Sequence, residues 1–157
     1  MFNSHNIKIG LGWDSKHDMD ASLFLFDQNI NFIREGIVFY NQIEYPKLAS
    51  KTERAIFHSG DKKDGKTKGD DEFMTINLKH KELQNVEYIV VCITIKDPEN
   101  KNDKTFKDVR GAYCRLVFLD KNEKEQSELC KFKLSENKDG KSSGAIPLVL
   151  KQTNGYW

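Results

Sequence analysis

Residues 86–95 read VEYIVVCITI and form the longest run of apolar and β-branched side chains in the sequence. Such residues favour extended backbone, and the run is too short to cross a bilayer as a helix. Apolar side chains stand at both odd and even positions, whereas a strand with one solvated face alternates. The stretch therefore predicts a central β-strand that is covered on both faces.

Shorter strand-like runs with a period of two lie on both sides of this segment. Helical periodicity is weak and allows only a turn or two near Leu83 and Phe106. The spacing of about nine strands predicts an all-β fold, a two-layer antiparallel β-sandwich with acidic loops at one end. Pro147 in the last run indicates an edge strand or a bulge. The runs are 7–13, 21–26, 37–40, 55–58, 73–78, 86–95, 112–119, 129–134 and 145–150.

Composition limits the possible functions. The 157 residues are 38% hydrophobic and 31% charged, which suits one globular domain spanning residues 1–157. The net charge is only +1, and Lys greatly outnumbers Arg, so we expect no nucleic-acid partner. Three cysteines in strand-like runs predict buried reduced thiols. The polar N-terminal stretch predicts a cytoplasmic protein.

Two acidic elements are candidates for metal binding. Residues 58–72, HSGDKKDGKTKGDDE, hold five carboxylates among three glycines, and Asp18 and Asp20 open a strand with both side chains on one face. Calcium takes 6 to 8 oxygen ligands and would resolve the mutual repulsion of such carboxylates. A solvated loop without metal is an equally good interpretation of the composition alone.

The same loop also matches a phosphate-binding pattern, from Gly60 to Thr67. That motif needs a helix after it, since the helix N-terminus holds the phosphates. Here a strand-like run follows, and the neighbouring carboxylates would repel a triphosphate. A nucleotide- or phosphate-ester-binding protein is therefore the less favoured alternative.

Five segments stand in a distinctive order and spacing: GLGWDS (10–15), DMDASLFLF (18–26), IVFYNQ (37–42), FHSGD (57–61) and GDDE (69–72). Together they resemble the TerD family of tellurium-resistance and stress proteins, whose order and spacing they match. Later segments (88–97, 106–117 and 154–157) extend the similarity over nearly the whole chain. The resemblance implies a calcium-binding β-sandwich with no established enzymatic activity and a role in stress-response complexes that associate with membranes.

The family pattern supplies the expected ligands, with Asp64 as an additional carboxylate. Lysines stand at three positions, Lys16, Lys62 and Lys68, where the family carries acidic or polar residues. An ammonium cannot coordinate a cation, so we expect one or two calcium ions with at least one site weakened. The expected metal-binding residues are Asp18, Asp20, Asp61, Asp64, Gly69, Asp70, Asp71 and Glu72.

The sequence therefore predicts a non-enzymatic, calcium-binding interaction module. The alternative is a metal-free scaffold of the same fold, in which the three lysines have replaced ligands. Partners are expected to be proteins of a stress-response or scaffold complex, with peripheral association at the cytosolic face of a membrane. We further expect Lys62 or Lys68 to pair with Asp61, Asp70 or Asp71, and His58 to be a structural hydrogen-bonding residue.

Overall fold

The computed structural model describes residues 6–65, 68–96, 104–136 and 142–157, whose strands form two antiparallel sheets packed as a sandwich. The six-stranded sheet has the order β4-β5-β6-β1-β8-β9, and the four-stranded sheet the order β10-β7-β2-β3. The predicted all-β sandwich is confirmed. The strands are β1 (Asn6–Gly12), β2 (Asp18–Phe26), β3 (Phe32–Val38), β4 (Glu44–Tyr45), β5 (Ile56–His58), β6 (Glu72–Asn77), β7 (Tyr88–Lys96), β8 (Tyr113–Leu119), β9 (Glu125–Lys133) and β10 (Gly144–Lys151).

The core lies between the two sheets and follows from the period-two pattern. In β2 every second side chain, from Met19 to Leu25, is buried, and the intervening side chains point outward. β1 contributes Ile7, Ile9 and Leu11 from the opposing sheet in the same way. Burial of each such side chain contributes about 1.5–3 kcal/mol, so the alternation fixes which face of each strand turns inward.

Strand β7 corresponds to the decisive sequence run. It lies between β10 and β2, and Ile89, Val91 and Ile93 are completely buried, so its central position is confirmed. The prediction of a second covered face is wrong, because Val90 and Cys92 are only partly buried. Side chains of the neighbouring strand β2, such as Phe24, lie on the same outer face. They partly cover Val90 and Cys92 from the side, and no third layer of structure among the described residues packs over them.

The sequence also made predictions about the last strand, short helical turns and the cysteines. β10 is an edge strand whose register shifts between Ala145 and Leu148, around Pro147, as the proline indicated. Short 3-10 helices occur at Lys81–Leu83 and Phe106–Asp108. The three cysteines are free thiols, of which Cys114 is buried and the other two are half-buried. Within the described ranges, no helix has the length and apolar character needed to cross a membrane.

Candidate metal centre

Three carboxylates from distant parts of the chain meet at one end of the sandwich. Asp18 and Asp20 project from the outer face of β2, two residues apart. Asp61 reaches them from the loop between β5 and β6. One carboxylate oxygen from each residue lies within 4.8 Å of the other two. The predicted convergence of Asp18, Asp20 and Asp61 is therefore present in the structure.

The backbone on both sides of Asp61 is fastened to Ala21 of β2. The amide of Lys62 donates to Glu72 Oε1 (3.0 Å), and the amide of Ala21 donates to Glu72 Oε2 (3.1 Å). The amide of Gly60 donates to His58 Nδ1 (2.9 Å), so His58 Nε2 carries the proton and donates to the Ala21 carbonyl (3.1 Å). These two side chains thus hold Asp61 beside Asp20, and His58 has the structural role that the sequence predicted.

Both fastening side chains are fully buried, and their pKa values shift toward the neutral forms. Burial raises the pKa of Glu72 to about 8, and the charges of Asp20 and Asp61 add to the effect. Burial also lowers the pKa of His58. His58 Nε2 and Glu72 Oε2 lie 3.7 Å apart. Both shifts favour the neutral forms, so this contact does not need to be an ion pair.

Two carboxylate oxygens of this cluster are buried without a hydrogen-bond partner, Oδ1 of Asp18 and Oδ1 of Asp20. The Asp20 residue is only 8% exposed. Burial raises the pKa of Asp20, and the nearby charges of Asp18 and Asp61 contribute. Unpartnered buried acceptors are costly unless another group satisfies them.

Hard oxygen donors of this kind fit a calcium ion. Three carboxylates can supply up to about six oxygens, and backbone carbonyls or water can supply the rest of a coordination number of 6 to 8. Thiols and imidazoles, which softer metals prefer, do not belong to the group of three. The cluster is chemically suited to a hard divalent cation.

Lys96 is a further member of the site that the sequence did not predict. Its Cα is the cross-strand partner of Asp18, and its Nζ lies 3.3 Å from Asp18 Oδ2. The same Nζ lies 5.2 Å from the centre of the Tyr40 ring. Only the register between β2 and β7 reveals this contact, and sequence alone does not give that register.

Asp70 lies away from the cluster, on the outer face of the six-stranded sheet. Arg115 donates two hydrogen bonds of 2.7 Å to it, and Lys8 Nζ lies 2.7 Å from its Oδ2. The Tyr113 hydroxyl donates a hydrogen bond of 3.0 Å to Asp70 Oδ1, which makes a fourth contact. A Cβ on Gly10 would lie 2.3 Å from this carboxylate, so glycine there makes room for it. The expected convergence of Asp70 with the cluster is wrong, because two cations of β1 and β8 hold it elsewhere.

The remaining expected ligands support the loop or lie in it. Asp71 Oδ2 accepts a hydrogen bond from the Trp13 amide (3.0 Å), which joins the start of β6 to the end of β1. Asp64 is half-buried and precedes Gly65, whose amide donates to the Ser15 carbonyl (2.9 Å). Gly69 has a φ of +105°, which favours glycine. Among the described residues, Asp64 and Asp71 do not belong to the group of three.

The lysines at former ligand positions do not compensate the cluster. Lys16, Lys62 and Lys68 are exposed, and Lys62 contributes its backbone amide to the site. In the ion pairs formed by the described residues, Asp70 pairs with Lys8 and Arg115, and the ammonium beside the cluster belongs to Lys96. Among the described residues, the cations paired with Asp18 and Asp70 are thus cross-strand neighbours, and neither Lys62 nor Lys68 is one of them.

The sequence is similar to one family of known proteins along most of its length. The TerD domain family model matches residues 2–157. Tellurium resistance protein TerD from Serratia marcescens and its counterpart from an Alcaligenes species are each 29% identical over 159 residues, covering 97% of this chain and 76% of theirs.

Two solved structures share the fold. A crystal structure of a protein of unknown function superposes with a TM-score of 0.70 at 17% identity, over 98% of this chain and 84% of the other. A homologue of the telluride resistance protein from Streptomyces coelicolor A3(2) gives a TM-score of 0.68 at 16% identity, over 99% and 85% of the two chains.

Proposed function

Because the chain belongs to the TerD domain family, we propose that it is a non-enzymatic, calcium-binding interaction module of the tellurium-resistance type. One observation carries the calcium assignment. Asp18, Asp20 and Asp61 converge within 4.8 Å, and two of their oxygens are buried without a partner. Bound calcium would supply positive charge that satisfies these acceptors and neutralises their repulsion.

The scaffold around the cluster suits a binding role. Asp18 and Asp20 stand on a strand whose other face is core, so their separation is fixed before any ligand binds. Asp61 stands on a loop that two buried side chains fasten to that strand. A cation held by all three carboxylates would join the loop to the sheet and order the surface around it. That surface is the part of the molecule that we assign to partner recognition.

A metal-free scaffold of the same fold is the second candidate, and a specific observation favours it. Lys96 already places an ammonium 3.3 Å from Asp18 Oδ2. One positive charge thus partly compensates the three carboxylates without metal. The nucleotide-binding alternative receives no such support, since the strand β6 follows the loop where that motif requires a helix.

Partners and location belong to the same proposal. We assign the chain to a cytoplasmic stress-response or scaffold complex, in which it contacts other proteins and associates with the cytosolic face of a membrane. The names of its relatives refer to tellurium resistance, and that phenotype is the first to test for this chain. The half-buried apolar outer face of the four-stranded sheet, which includes Phe24 and Val90, supports a role in contacts with other molecules.

Calcium titration of the melting temperature tests the proposal. A ligand that binds only the folded state adds about 2.7 kcal/mol at 100 times its dissociation constant, which raises the melting temperature by several degrees. Asp20→Asn removes a central carboxylate and should abolish the rise. Glu128→Gln removes an exposed carboxylate on β9 and serves as the matched control. A wild-type melting temperature that is the same in calcium and in chelator would favour the metal-free scaffold.

A further inference from the structure

Lys96 joins the acidic cluster through the sheet itself. Antiparallel pairing places it directly opposite Asp18, and it places Thr94 opposite Asp20, with all four side chains on the outer face. The ammonium contacts Asp18 through Oδ2, while the unpartnered oxygen of Asp18 is Oδ1. The lysine therefore neutralises one side of the cluster and leaves the buried acceptors unsatisfied.

An ammonium in this position and a divalent cation repel each other. A cation bound by all three carboxylates would lie only a few ångströms from Asp18, and hence close to the Lys96 charge. Like charges at such distances interact strongly, even at the high effective dielectric of a protein surface. Cation binding is therefore linked to movement of this side chain.

We propose that Lys96 is a tethered counter-ion of the metal centre: its ammonium holds Asp18 in the metal-free protein, leaves when a divalent cation binds, and thereby lowers the affinity of the site. This inference rests on the proposed function, because it concerns the same three carboxylates. It assigns to Lys96 the control of affinity and not the role of a ligand.

Two features of the structure support the exchange. The Lys96 side chain is 37% exposed, so a path to solvent is open. The Tyr40 ring lies 5.2 Å from its Nζ and offers the ammonium a second favourable contact when Asp18 is occupied.

Another lysine provides a matched control. Lys151 lies on β10 opposite Tyr88, at the other end of β7, about 26 Å from Lys96 along the strand. Its Nζ also lies near a carboxylate and an aromatic ring, 3.9 Å from Glu87 Oε1 and 5.4 Å from the centre of the Tyr88 ring. Replacing either lysine by methionine keeps most of the aliphatic chain and removes one positive charge.

Isothermal titration with calcium chloride at fixed ionic strength tests the inference. We expect Lys96→Met to lower the dissociation constant for calcium about 10- to 100-fold, because the competing positive charge is gone. Screening by salt and solvent makes this effect smaller than that of two unscreened charges at the same distance. Lys96→Arg keeps the charge and should stay within about threefold of wild type, as should Lys151→Met. In chelator, Lys96→Met should melt at a lower temperature than Lys151→Met.

The possible outcomes separate this inference from the proposed function. Equal calcium affinity of wild type and Lys96→Met overturns the inference and leaves the proposed function standing. Binding by Lys96→Met but not by wild type supports the inference and overturns the proposed function in favour of the metal-free scaffold. Binding by neither protein overturns both. If circular dichroism shows that Lys96→Met is unfolded, Lys96→Gln replaces it with the same expectations.

Discussion

Replacing Asp70 by asparagine distinguishes a structural carboxylate from a calcium ligand. The Asp70 side chain is only 2% exposed, and it accepts hydrogen bonds from Arg115 at both oxygens. Lys8 lies 2.7 Å away. Asparagine fits the space but removes the negative charge and one of the two acceptor oxygens. Arg115 and Lys8 then lose the buried one of their two shared counter-ions and keep the more exposed one, Glu125.

The size of the expected destabilisation follows from the burial of Asp70, Lys8 and Arg115. Removing one member of a buried ion pair typically costs about 3–5 kcal/mol. Here the Lys8 and Arg115 side chains are 16% and 17% exposed and both still pair with Glu125, so water and that carboxylate partly replace the lost charge. We therefore expect Asp70→Asn to lower the free energy of unfolding by about 2–3 kcal/mol at pH 7. Urea unfolding should show a midpoint about 1 M lower.

The pH dependence of stability provides a second measurement. Burial opposes ionisation of Asp70, but the hydrogen bonds and charges of Arg115 and Lys8 outweigh it and lower its pKa below the usual value. The charged carboxylate is therefore stabilised more in the folded state than in the unfolded one. This contribution is complete above the unfolded-state pKa of about 3.9 and is lost as the pH falls through the lower folded-state value. The variant should lose less stability than wild type on acidification in that window.

Calcium binding provides the decisive comparison. If Asp70 is structural, Asp70→Asn should retain wild-type calcium affinity within about threefold under conditions where it stays folded. Asp20→Asn should lose that affinity. A variant that unfolds like wild type in urea but no longer binds calcium would refute the structural role of Asp70 and place it among the ligands.

Three further substitutions test the packing. Val91→Ala empties a fully buried position on β7 and should cost about 2–4 kcal/mol in urea unfolding. Gly10→Ala places a Cβ against the Asp70 carboxylate, so the melting temperature should fall by several degrees, with less further loss in an Asp70→Ala background, where the group that the Cβ meets is absent. Gly65→Ala brings a Cβ within 2.4 Å of the Trp13 carbonyl oxygen and should displace the loop that carries Asp61, which calorimetry should detect as calcium affinity reduced about tenfold or more.

Much of the fold was predictable because burial imposes a simple period on strands. Alternation gave β1 and β2, and the apolar run around Val91 gave the central position of β7. The coverage of its outer face was not predictable, since half-buried apolar side chains on neighbouring strands produce the same sequence pattern as a second core. Val90 and Phe24 are such a pair in the β2–β7 register.

The candidate site was predictable where spacing along the chain fixes geometry. Asp18 and Asp20 share a face because they are two residues apart on a strand. The partners of Asp70 and Asp18 depend on pairing between strands distant in sequence, β8 with β1 and β7 with β2. Acidic composition and the family pattern therefore predicted Asp70 as a ligand and did not identify Lys96.

The unequal attachment of the two halves of the candidate metal centre determines how its motions can be observed. The β2 half belongs to a strand whose buried side chains lie in the core, so its amide hydrogens exchange with solvent only through large-scale unfolding. The loop half is joined by the amides of Gly60 and Lys62, which donate to the side chains of His58 and Glu72. These two amides can open locally while the sheet stays intact. Their exchange rates therefore report the detachment of Asp61 separately from the stability of the fold.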